Sequence, residues 1–518
     1  MCDARASLRI RALATGLLIC AVAPAYGDGD ALVNSRGWFV QGDAVIWGWV
    51  QHNGWWRAGQ RPNLARRSIG DPLGDMRPNR TEDLDALTDS MLRYGYPAFE
   101  HNFGLWYDRR RDAHDTGPRT DPNALPPFLE QPWARSEAGT AFDGLPRYDL
   151  ATFNPWYFQR LREFAELCDR KGTVLIHKFY MQHALLENQA HYADFPWRPG
   201  NCIQDTGLPD TVPAANVFYD VSHPVRREMH RLYIRHCLDM LGGFRNVVHL
   251  TGQEFTGPAE FVQFWLGEIQ AWEKETGQNV CIGLGAPKDV QDAILADPGQ
   301  AGNIDVLDLR FWWINGDGDL IAPQGGREIP GRGLESGSRQ AEESPPASIY
   351  AKVRAIRDRF PGVGILDAIE GDRQQCWAFL MAGGGLLVRG QISYPDFADP
   401  LEYVQPAEVD VILPTYNWIR TELATRVPNM RPADVVVSSS GPTWCLAGAA
   451  GPWLVYALEG GHFTLEIPDS PGKRAAIWFD PRSGAQQEAT AIANPGATTL
   501  VFEAPSSEDW VLYVPASH

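Results

Sequence analysis

The sequence lacks, beyond its N-terminal region, any hydrophobic run long enough to cross a membrane. A spanning helix needs about 20 consecutive apolar residues. The N-terminal region itself has arginines ahead of a shorter apolar run over residues 12–23, followed by small residues up to Gly27, which is typical of a secretory signal peptide. Cys20 follows Ile19 rather than a small residue, so no lipid anchor is expected. We therefore predict a signal peptide over residues 1–27 and a periplasmic or extracellular protein without an integral membrane segment.

Positive charge is also scarce, with 46 Lys and Arg against 64 Asp and Glu and a formal net charge of −18. Nucleic-acid binders present basic faces to the phosphate backbone, so a nucleic acid is not an expected partner. The excess of acidic residues is also explained by the surface of an ordinary soluble protein.

Clustered cysteines and nucleotide-binding loops are missing as well. The six cysteines after the signal region form no CxxC pair, although one or two disulfides are possible in an oxidising compartment. No glycine-rich phosphate loop stands between a strand and a helix. His177, His183 and His191 have spacings unlike a helical zinc motif. We predict neither a cofactor nor a metal.

Aromatic residues, glycine and proline are abundant, with 19 Trp, 16 Tyr, 50 Gly and 39 Pro. This composition suggests long structured loops rich in flat aromatic surface. Such loops are typical of sugar-binding clefts, although large cores also bury Trp.

Short apolar runs alternate with amphipathic helical stretches from about residue 44 to about residue 425. The alternation predicts a parallel sheet with crossover helices, and the count of eight strands predicts an α/β fold, a (β/α)8 TIM barrel over residues 28–428. The predicted strands are Ala44 to Trp49, Tyr96 to Phe103, Thr173 to Tyr180, Asn246 to Gly252, Val280 to Ala286, Ile304 to Trp313, Val363 to Asp367 and Leu386 to Ile392. Asn154 is expected to cap a helix opened by Pro155, and Ser222 the helix that contains Pro224.

The pattern changes to short strands at regular spacing after about residue 430. Seven such strands between Val435 and Val514, separated by Gly, Pro and Ser, predict a small C-terminal β-sandwich over residues 429–518. The long Gly- and Pro-rich segment from Asn315 to Pro346 is expected to form one wall of a cleft at the barrel mouth.

Active sites of such barrels lie at the C-terminal ends of the strands, so polar residues at those ends are the functional candidates. The candidates for substrate binding are Glu100, His101, Asn102, His177, Tyr180, Gln253, Arg310, Trp312, Trp313, Arg389 and Gln391. The histidines could instead be satisfied core residues, the tryptophans core or loop anchors, and the arginines partners of barrel carboxylates.

Glycosidic bonds are cleaved by one carboxylic acid that protonates the leaving oxygen and a second carboxylate that attacks or activates water. Glu254 follows the fourth strand directly, and Glu370 and Asp367 lie at the seventh. We predict Glu254 as the acid/base and Glu370, or failing that Asp367, as the nucleophile. The alternative for Glu254 is a helix-capping or surface carboxylate.

The run VVHLTGQEFTGP, with a carboxylate at the seventh strand, resembles retaining glycosidases of the large barrel clan, in which an Asn occupies the position of Gln253. The C-terminal runs AIWFDPRSGAQQEA and FEAPSSEDWVLYV are similar to the sandwich domain labelled collagen-binding in apiosidase-like hydrolases. The run AIEGDRQQCWAFLMAGGG resembles the seventh-strand region of that family. The resemblance implies a hydrolase of plant or bacterial polysaccharide.

The sequence therefore favours an exported retaining glycoside hydrolase whose partner is an oligo- or polysaccharide, such as the side chains of pectin. One alternative is a carbohydrate-binding barrel that has lost catalysis, since this fold hosts many functions. A further alternative is a polysaccharide lyase that uses Tyr180 and His177 as base and acid. The oligomeric state stays open.

Overall fold

The computed structural model describes residues 31–51, 84–102, 131–142, 144–181, 192–253, 255–322, 344–368, 373–389, 411–467, 475–493 and 499–516. The predicted signal peptide lies outside these residues. None of the helices in the described ranges has the length and apolarity that a membrane span requires.

The first part of the chain contains two kinds of strand, those of a closed barrel and those of small hairpins. In chain order the strands are β1 (Val40–Gln41), β2 (Ala44–Val45), β3 (Gly48–Gln51), β4 (Ala98–Asn102), β5 (Trp133–Arg135), β6 (Tyr148–Phe153), β7 (Val174–Met181), β8 (Val247–Gln253), β9 (Cys281–Gly285), β10 (Val306–Asp308), β11 (Trp313–Ile314), β12 (Leu320–Ile321), β13 (Gly364–Ala368) and β14 (Leu386–Arg389). The barrel closes in the order β10-β13-β14-β3-β4-β7-β8-β9, with every neighbouring pair parallel.

The helices alternate with the barrel strands along the chain, as a crossover topology requires. They are α1 (Leu84–Arg93), α2 (Pro155–Lys171), α3 (Ala215–Phe218), α4 (Pro224–Leu241), α5 (Ala259–Thr276), α6 (Lys288–Ala296), α7 (Pro298–Ala301), α8 (Pro346–Arg359), α9 (Arg373–Met381) and α10 (Leu413–Trp418). The predicted (β/α)8 barrel is confirmed.

Local signals fix the ends of α2. The Asn154 side chain accepts hydrogen bonds from the backbone N–H groups of Trp156 and Tyr157 at 3.2 and 3.4 Å, and Pro155 opens the helix. Gly172 ends it in the left-handed conformation at φ 71°, which glycine adopts without steric cost. The expected cap by Ser222 is wrong, because α4 begins after His223 without a side-chain cap.

Two predicted strands differ from the observed ones. The run from Ala44 splits, because Ala44–Val45 pairs antiparallel with β1 and the barrel strand begins at Gly48. The sixth strand ends at Asp308, and Trp313–Ile314 pairs with β12 in a separate hairpin. At both positions one continuous apolar run had been predicted as a single strand, but it forms two separate strands.

The barrel interior is a compact apolar cluster of fully buried side chains from alternate strand positions. It includes Val50, Ala98, Val174, Ile176, Val248, Leu250, Val306, Leu366, Leu386 and Val388. Phe39 belongs to the same cluster, and a Cβ on Gly364 or Gly385 would approach its ring to 2.9 or 2.6 Å. The two glycines therefore leave room for Phe39 at the N-terminal end of β13 and β14.

The C-terminal part forms two antiparallel sheets. Its strands are β15 (Arg431–Pro432), β16 (Val436–Ser439), β17 (Thr443–Ala447), β18 (Trp453–Ala457), β19 (His462–Glu466), β20 (Ala476–Phe479), β21 (Gln486–Ala489), β22 (Ile492–Ala493), β23 (Thr499–Glu503) and β24 (Trp510–Val514). One sheet has the order β15-β17-β18-β24-β20-β21 and the other β16-β19-β23-β22. The predicted sandwich is confirmed, and β15, β21 and β22 are additional to the seven expected strands.

The thiols of Cys168, Cys202, Cys237, Cys281 and Cys445 are free. The possible disulfides do not involve these five cysteines. Burial raises the pKa of the Cys168 and Cys445 thiols, so both act as small apolar core residues.

Candidate active site at the barrel mouth

Three charged side chains lie on the interior side of the barrel, one step beyond the apolar cluster toward the C-terminal ends of the strands. Successive side chains of a strand alternate between the two faces. Glu100 follows Ala98 by two residues, Lys178 follows Ile176, and Asp308 follows Val306. These three residues therefore share the interior face, and all are fully buried.

Arg310 joins the three into one network. Its Nη2 atom lies 2.7 Å from Glu100 Oε1, and its Nε atom donates to both carboxylate oxygens of Asp308 at 2.9 Å. Lys178 Nζ donates to the other Glu100 oxygen at 2.8 Å. Since β10 and β4 lie on opposite sides of the barrel, the network crosses the lumen. It forms a charged floor, defined here as Glu100, Lys178, Asp308 and Arg310, beneath the barrel mouth.

The floor pairs two carboxylates with two cations. Burial lowers the pKa of Lys178 to about 8, against the opposing attraction of the Glu100 carboxylate. Burial also disfavours a charged Arg310, but the carboxylates of Asp308 and Glu100 outweigh it and raise the Arg310 pKa. Charges buried this deeply are tolerated only when each has a partner. The floor is therefore a rigid, internally compensated layer.

Of the floor residues, only Glu100 and Arg310 are among the residues singled out from the sequence. Lys178 and Asp308 were missed because the strands are apolar on both faces and show no clear alternation. Their positions two residues beyond Ile176 and Val306 were the available signal.

His101 and His177 lie on the opposite, helix-facing side of their strands. Their Nδ1 atoms are 3.3 Å apart, and the Nε2 atom of His101 lies 3.3 Å from the Tyr157 hydroxyl of α2. Burial, with a smaller effect of Lys178, lowers the pKa of His101 to about 3, and burial lowers that of His177 as well. This placement makes both neutral core histidines and does not support contact with substrate.

Tyr180 is enclosed by aromatic rings of the helix layer. Its hydroxyl lies 3.0 Å from Nδ1 of His230 in α4, and its ring makes edge contacts with Tyr219 and Phe261. Burial raises the pKa of the Tyr180 hydroxyl well above its usual value. Neither the substrate-binding role of Tyr180 nor a lyase base at this position is supported.

Asp367 also faces the helices. On β13 its neighbours Leu366 and Ala368 belong to or pack against the interior cluster, so the carboxyl group points away from the lumen. It accepts a hydrogen bond from Lys352 Nζ of α8 at 2.7 Å. Burial raises its pKa, and the Lys352 ammonium opposes that shift. This geometry does not support Asp367 as the nucleophile.

Trp312 and Trp313 are both 5 % exposed, so neither offers an open ring face. The Lys288 and Lys352 ammonium groups lie 5.4 and 4.8 Å from the ring centroid of Trp312. Trp313 is held in the β11–β12 hairpin. Both tryptophans are therefore better explained as core or loop anchors than as platforms for sugar stacking.

The remaining candidates cannot be placed by their side chains. Glu254, Glu370 and Gln391 lie outside the described residues, and of Asn102, Gln253 and Arg389 only the backbone is described. The described residues contain no cluster of three His, Cys, Asp or Glu side chains suited to a metal ion.

Solved structures of other proteins are similar to this architecture. A glycoside hydrolase family 5 protein from Bacteroides vulgatus ATCC 8482 superimposes with a TM-score of 0.53 at 12% identity, covering 94% of each chain. A second structure, described as a glycoside hydrolase, gives a TM-score of 0.50 at 13% identity, covering 94% of this chain and 97% of the other. At these identities the likeness establishes the shared fold.

Sequence comparison divides the chain between two families. No curated protein matches the sequence. Residues 446–515 match a family described as "Putative collagen-binding domain of a collagenase". Because residues 25–401, more than half of the chain, match the family described as domain of unknown function DUF6298, the protein belongs to that family.

Proposed function

We propose that this protein is an exported, retaining glycoside hydrolase that acts on side chains of pectin or of a related polysaccharide. The fold is shared with solved glycoside hydrolases over nearly the whole chain. The apiosidase-like resemblance of the C-terminal and seventh-strand runs supports a plant or bacterial polysaccharide as substrate. A shared fold does not by itself define an activity, so the proposal depends on the residues that follow the barrel strands.

The ends of two barrel strands support Glu254 and Glu370 as the catalytic pair. β8 ends at Gln253 and β13 ends at Ala368. Glu254 follows β8 directly in the sequence, and Glu370 follows β13 by two residues. Barrels of this kind have their active sites at the C-terminal ends of the strands, whereas Asp367 lies within β13 and is bound to Lys352 of α8. The sequence positions of the two glutamates just beyond these strand ends are the observation that carries the proposal.

The proposed reaction has two steps. In the first, the Glu370 carboxylate attacks the anomeric carbon while Glu254 gives its proton to the departing glycosidic oxygen, which leaves a glycosyl ester on Glu370. In the second, Glu254 takes a proton from water, and the water oxygen replaces Glu370 at the anomeric carbon. The sugar leaves with its original anomeric configuration.

The charged floor has a supporting part in this proposal. Its four charges compensate one another, and the hydrogen-bonded side chains span the lumen from β10 to β4 and β7. Such a layer fixes the separation of opposite barrel walls beneath the reacting sugar. Fixed polar groups under a reaction centre need no rearrangement during the reaction.

The proposal is tested by incubating the purified protein with a panel of pectic and other plant polysaccharides and with aryl glycosides. We expect release of reducing sugar from at least one substrate, with retained anomeric configuration by NMR. The matched control is Glu370→Ala, which should release none. Sugar binding without hydrolysis by the unmodified protein would instead indicate the carbohydrate-binding alternative.

A further inference from the structure

A groove open to solvent lies between α10 and the sandwich. One wall is formed by α10 and the residues that follow it up to Thr421, and the other by the end of β20, the turn after it and the start of β21. That turn belongs to the run AIWFDPRSGAQQEA, which has no part in the proposed reaction. The groove volume is about 470 Å³, within the range of roughly 300–1,000 Å³ that is typical of small-molecule sites.

The groove lies away from the barrel mouth. Tyr416 of α10 is next to Gly95, since a Cβ on Gly95 would be 3.4 Å from the Tyr416 ring. Gly95 precedes β4, which begins at Ala98, so this part of α10 lies beside the N-terminal ends of the barrel strands. The proposed active site is at the C-terminal ends. A ligand in the groove would therefore occupy a second site, separate from the sugar that reacts.

Both walls of the groove are held in place. At its bottom, the rings of Trp418 and Phe479 stack with centroids 4.1 Å apart and an interplanar angle of 7°. In the turn after β20, the Gly484 N–H donates to the Asp480 carbonyl oxygen at 2.8 Å. The Ser483 hydroxyl donates to the Asp480 carboxylate at 2.9 Å. A site that is formed before the ligand arrives loses little conformational entropy on binding.

Two amide side chains, one on each wall, are available for hydrogen bonds. Asn417 of α10 and Gln486 of β21 are exposed, and within the described residues neither side chain has a hydrogen-bond partner. The hydroxyls of Thr421 and Ser483 also line the groove. The Thr421 hydroxyl donates to the Asn417 carbonyl oxygen at 2.9 Å and keeps a lone pair that can accept. An amide donates and accepts at the same time, which suits the hydroxyl groups of a ligand.

The groove offers no fixed charge. Among the described residues, no Lys, Arg, Asp or Glu lines it, although 21% of the residues of the chain are charged. The charges of the neighbouring turn are paired with each other, because Arg482 contacts Asp480 at 2.6 Å and Glu508 at 3.5 Å. Leu413 and Pro414, both half-buried, add apolar surface beside the amides. This lining favours a neutral ligand with hydroxyl groups over a phosphate or a uronate.

We propose that the groove is a second carbohydrate site, which binds a segment of a neutral oligo- or polysaccharide. A saccharide combines hydroxyl groups with apolar C–H faces, as the groove combines amides and hydroxyls with the side chains of Leu413 and Pro414. The inference rests on the proposed function for the choice of a saccharide among neutral ligands. A second site keeps the protein attached to a polymer whose other segments reach the barrel mouth, because linked binding events raise the local concentration of substrate.

The test is affinity electrophoresis of the full chain in gels that contain neutral galactan, neutral arabinan or, as the charged comparison, polygalacturonate. Glu370→Ala serves as the background, so that the polysaccharide in the gel is not consumed. We expect at least one neutral polysaccharide to slow its migration. Asn417→Ala and Gln486→Ala, each added to this background, should raise the Kd for that polysaccharide roughly three- to tenfold, because each removes about one or two hydrogen bonds.

The matched control is Gln487→Ala in the same background. Gln487 is the next residue on β21 and is also exposed, but it does not line the groove, so its removal should leave the Kd unchanged. Circular dichroism checks that all variants are folded. Since Asn417 and Gln486 are exposed and bind no other described side chain, we expect their replacement to leave the fold intact.

Three outcomes overturn the carbohydrate site: no binding of any neutral polysaccharide, a Kd that is the same in Asn417→Ala, Gln486→Ala and Gln487→Ala, or polygalacturonate binding with the same dependence on Asn417 and Gln486. Reducing-sugar release by the unmodified protein is measured in parallel. Hydrolysis without dependence of binding on the two amides overturns the groove alone. Binding that depends on them, without hydrolysis of any substrate, overturns the proposed function and leaves the groove.

Discussion

Arg310 and Glu100 form an ion pair across the barrel lumen, with 2.7 Å between Nη2 and Oε1, although their strands lie on opposite sides of the eight-stranded ring. Each residue has a second charged partner, Asp308 for Arg310 and Lys178 for Glu100. These ion-paired side chains therefore span the lumen just above the apolar barrel interior. The ion pairs should contribute to stability independently of catalysis.

Removal of one floor charge should destabilise the protein strongly. Glu100→Gln leaves Lys178 and Arg310 with less negative charge in a site where Glu100 and Lys178 are fully buried. Breaking a buried pair costs roughly 3–5 kcal/mol, because the remaining charge stays desolvated. Denaturant unfolding should show this loss in Glu100→Gln. The control is Asp292→Asn in the surface pair with Lys288, which should lose about 0.5 kcal/mol or less.

An equal stability of Glu100→Gln and the unmodified protein would show that the Arg310 contact across the lumen does not constrain the barrel.

Acid should destabilise the protein through its buried histidines. Burial lowers the pKa of His249 to about 3, and neither of its ring nitrogens has a hydrogen-bond partner among the described residues. In the unfolded state the His249 side chain takes up a proton near pH 6.5, whereas in the folded state it does so only near pH 3. The contribution of neutral His249 is therefore present above pH 6.5 and is lost as the pH falls toward 3.

The measurement compares His249→Phe with the unmodified protein in urea unfolding at several pH values. Below pH 6 the slope of the unfolding free energy against pH should be smaller in His249→Phe by about 1.4 kcal/mol per pH unit, the value for one proton. Identical slopes would mean that His249 takes up its proton in the folded state.

The two proposed catalytic glutamates should respond differently to an external nucleophile. Glu370→Ala should abolish turnover for every leaving group. Glu254→Ala should spare aryl glycosides whose leaving group departs without protonation, and azide should restore part of the rate by replacing the activated water. Rates for natural and activated substrates, with and without azide, give the comparison. Equal losses on both substrate classes in Glu254→Ala, with no azide effect, would remove Glu254 from the acid/base role.

Truncation before the sandwich should expose aromatic surface. Trp418 of α10 stacks on Phe479 of β20 with ring centroids 4.1 Å apart, and Tyr350 of α8 stacks on Trp444 of β17 at 4.7 Å. A chain ending at residue 430 would leave Trp418 and Tyr350 in water, so we expect aggregation and dye binding typical of exposed apolar surface. Val437→Asp, at a side chain 53% exposed on β16, is the control and should stay monodisperse. A stable, monodisperse truncated barrel would show that the stacked pairs do not support it.

Part of the fold could be predicted from short stretches of sequence because the signals are local. The start of α2 was predicted correctly since Asn154 caps the helix and Pro155 opens it by their own side-chain and backbone chemistry. The eight barrel strands were found because buried parallel strands are continuously apolar. That same continuity hid which face each side chain occupies, so His101 and Asp367 were expected at the mouth and lie among the helices instead.

The sequence by itself determined the start of α2, the strand count and the change from barrel to sandwich, since each depends on neighbouring residues. Only the tertiary structure decided that Arg310 meets Glu100 and that Asp509 holds Arg373. These partners are far apart in the chain, and their meeting depends on barrel closure and domain docking. The physical reason is that strand register assigns alternate side chains to opposite faces, and a shift of one residue exchanges lumen and helix layer.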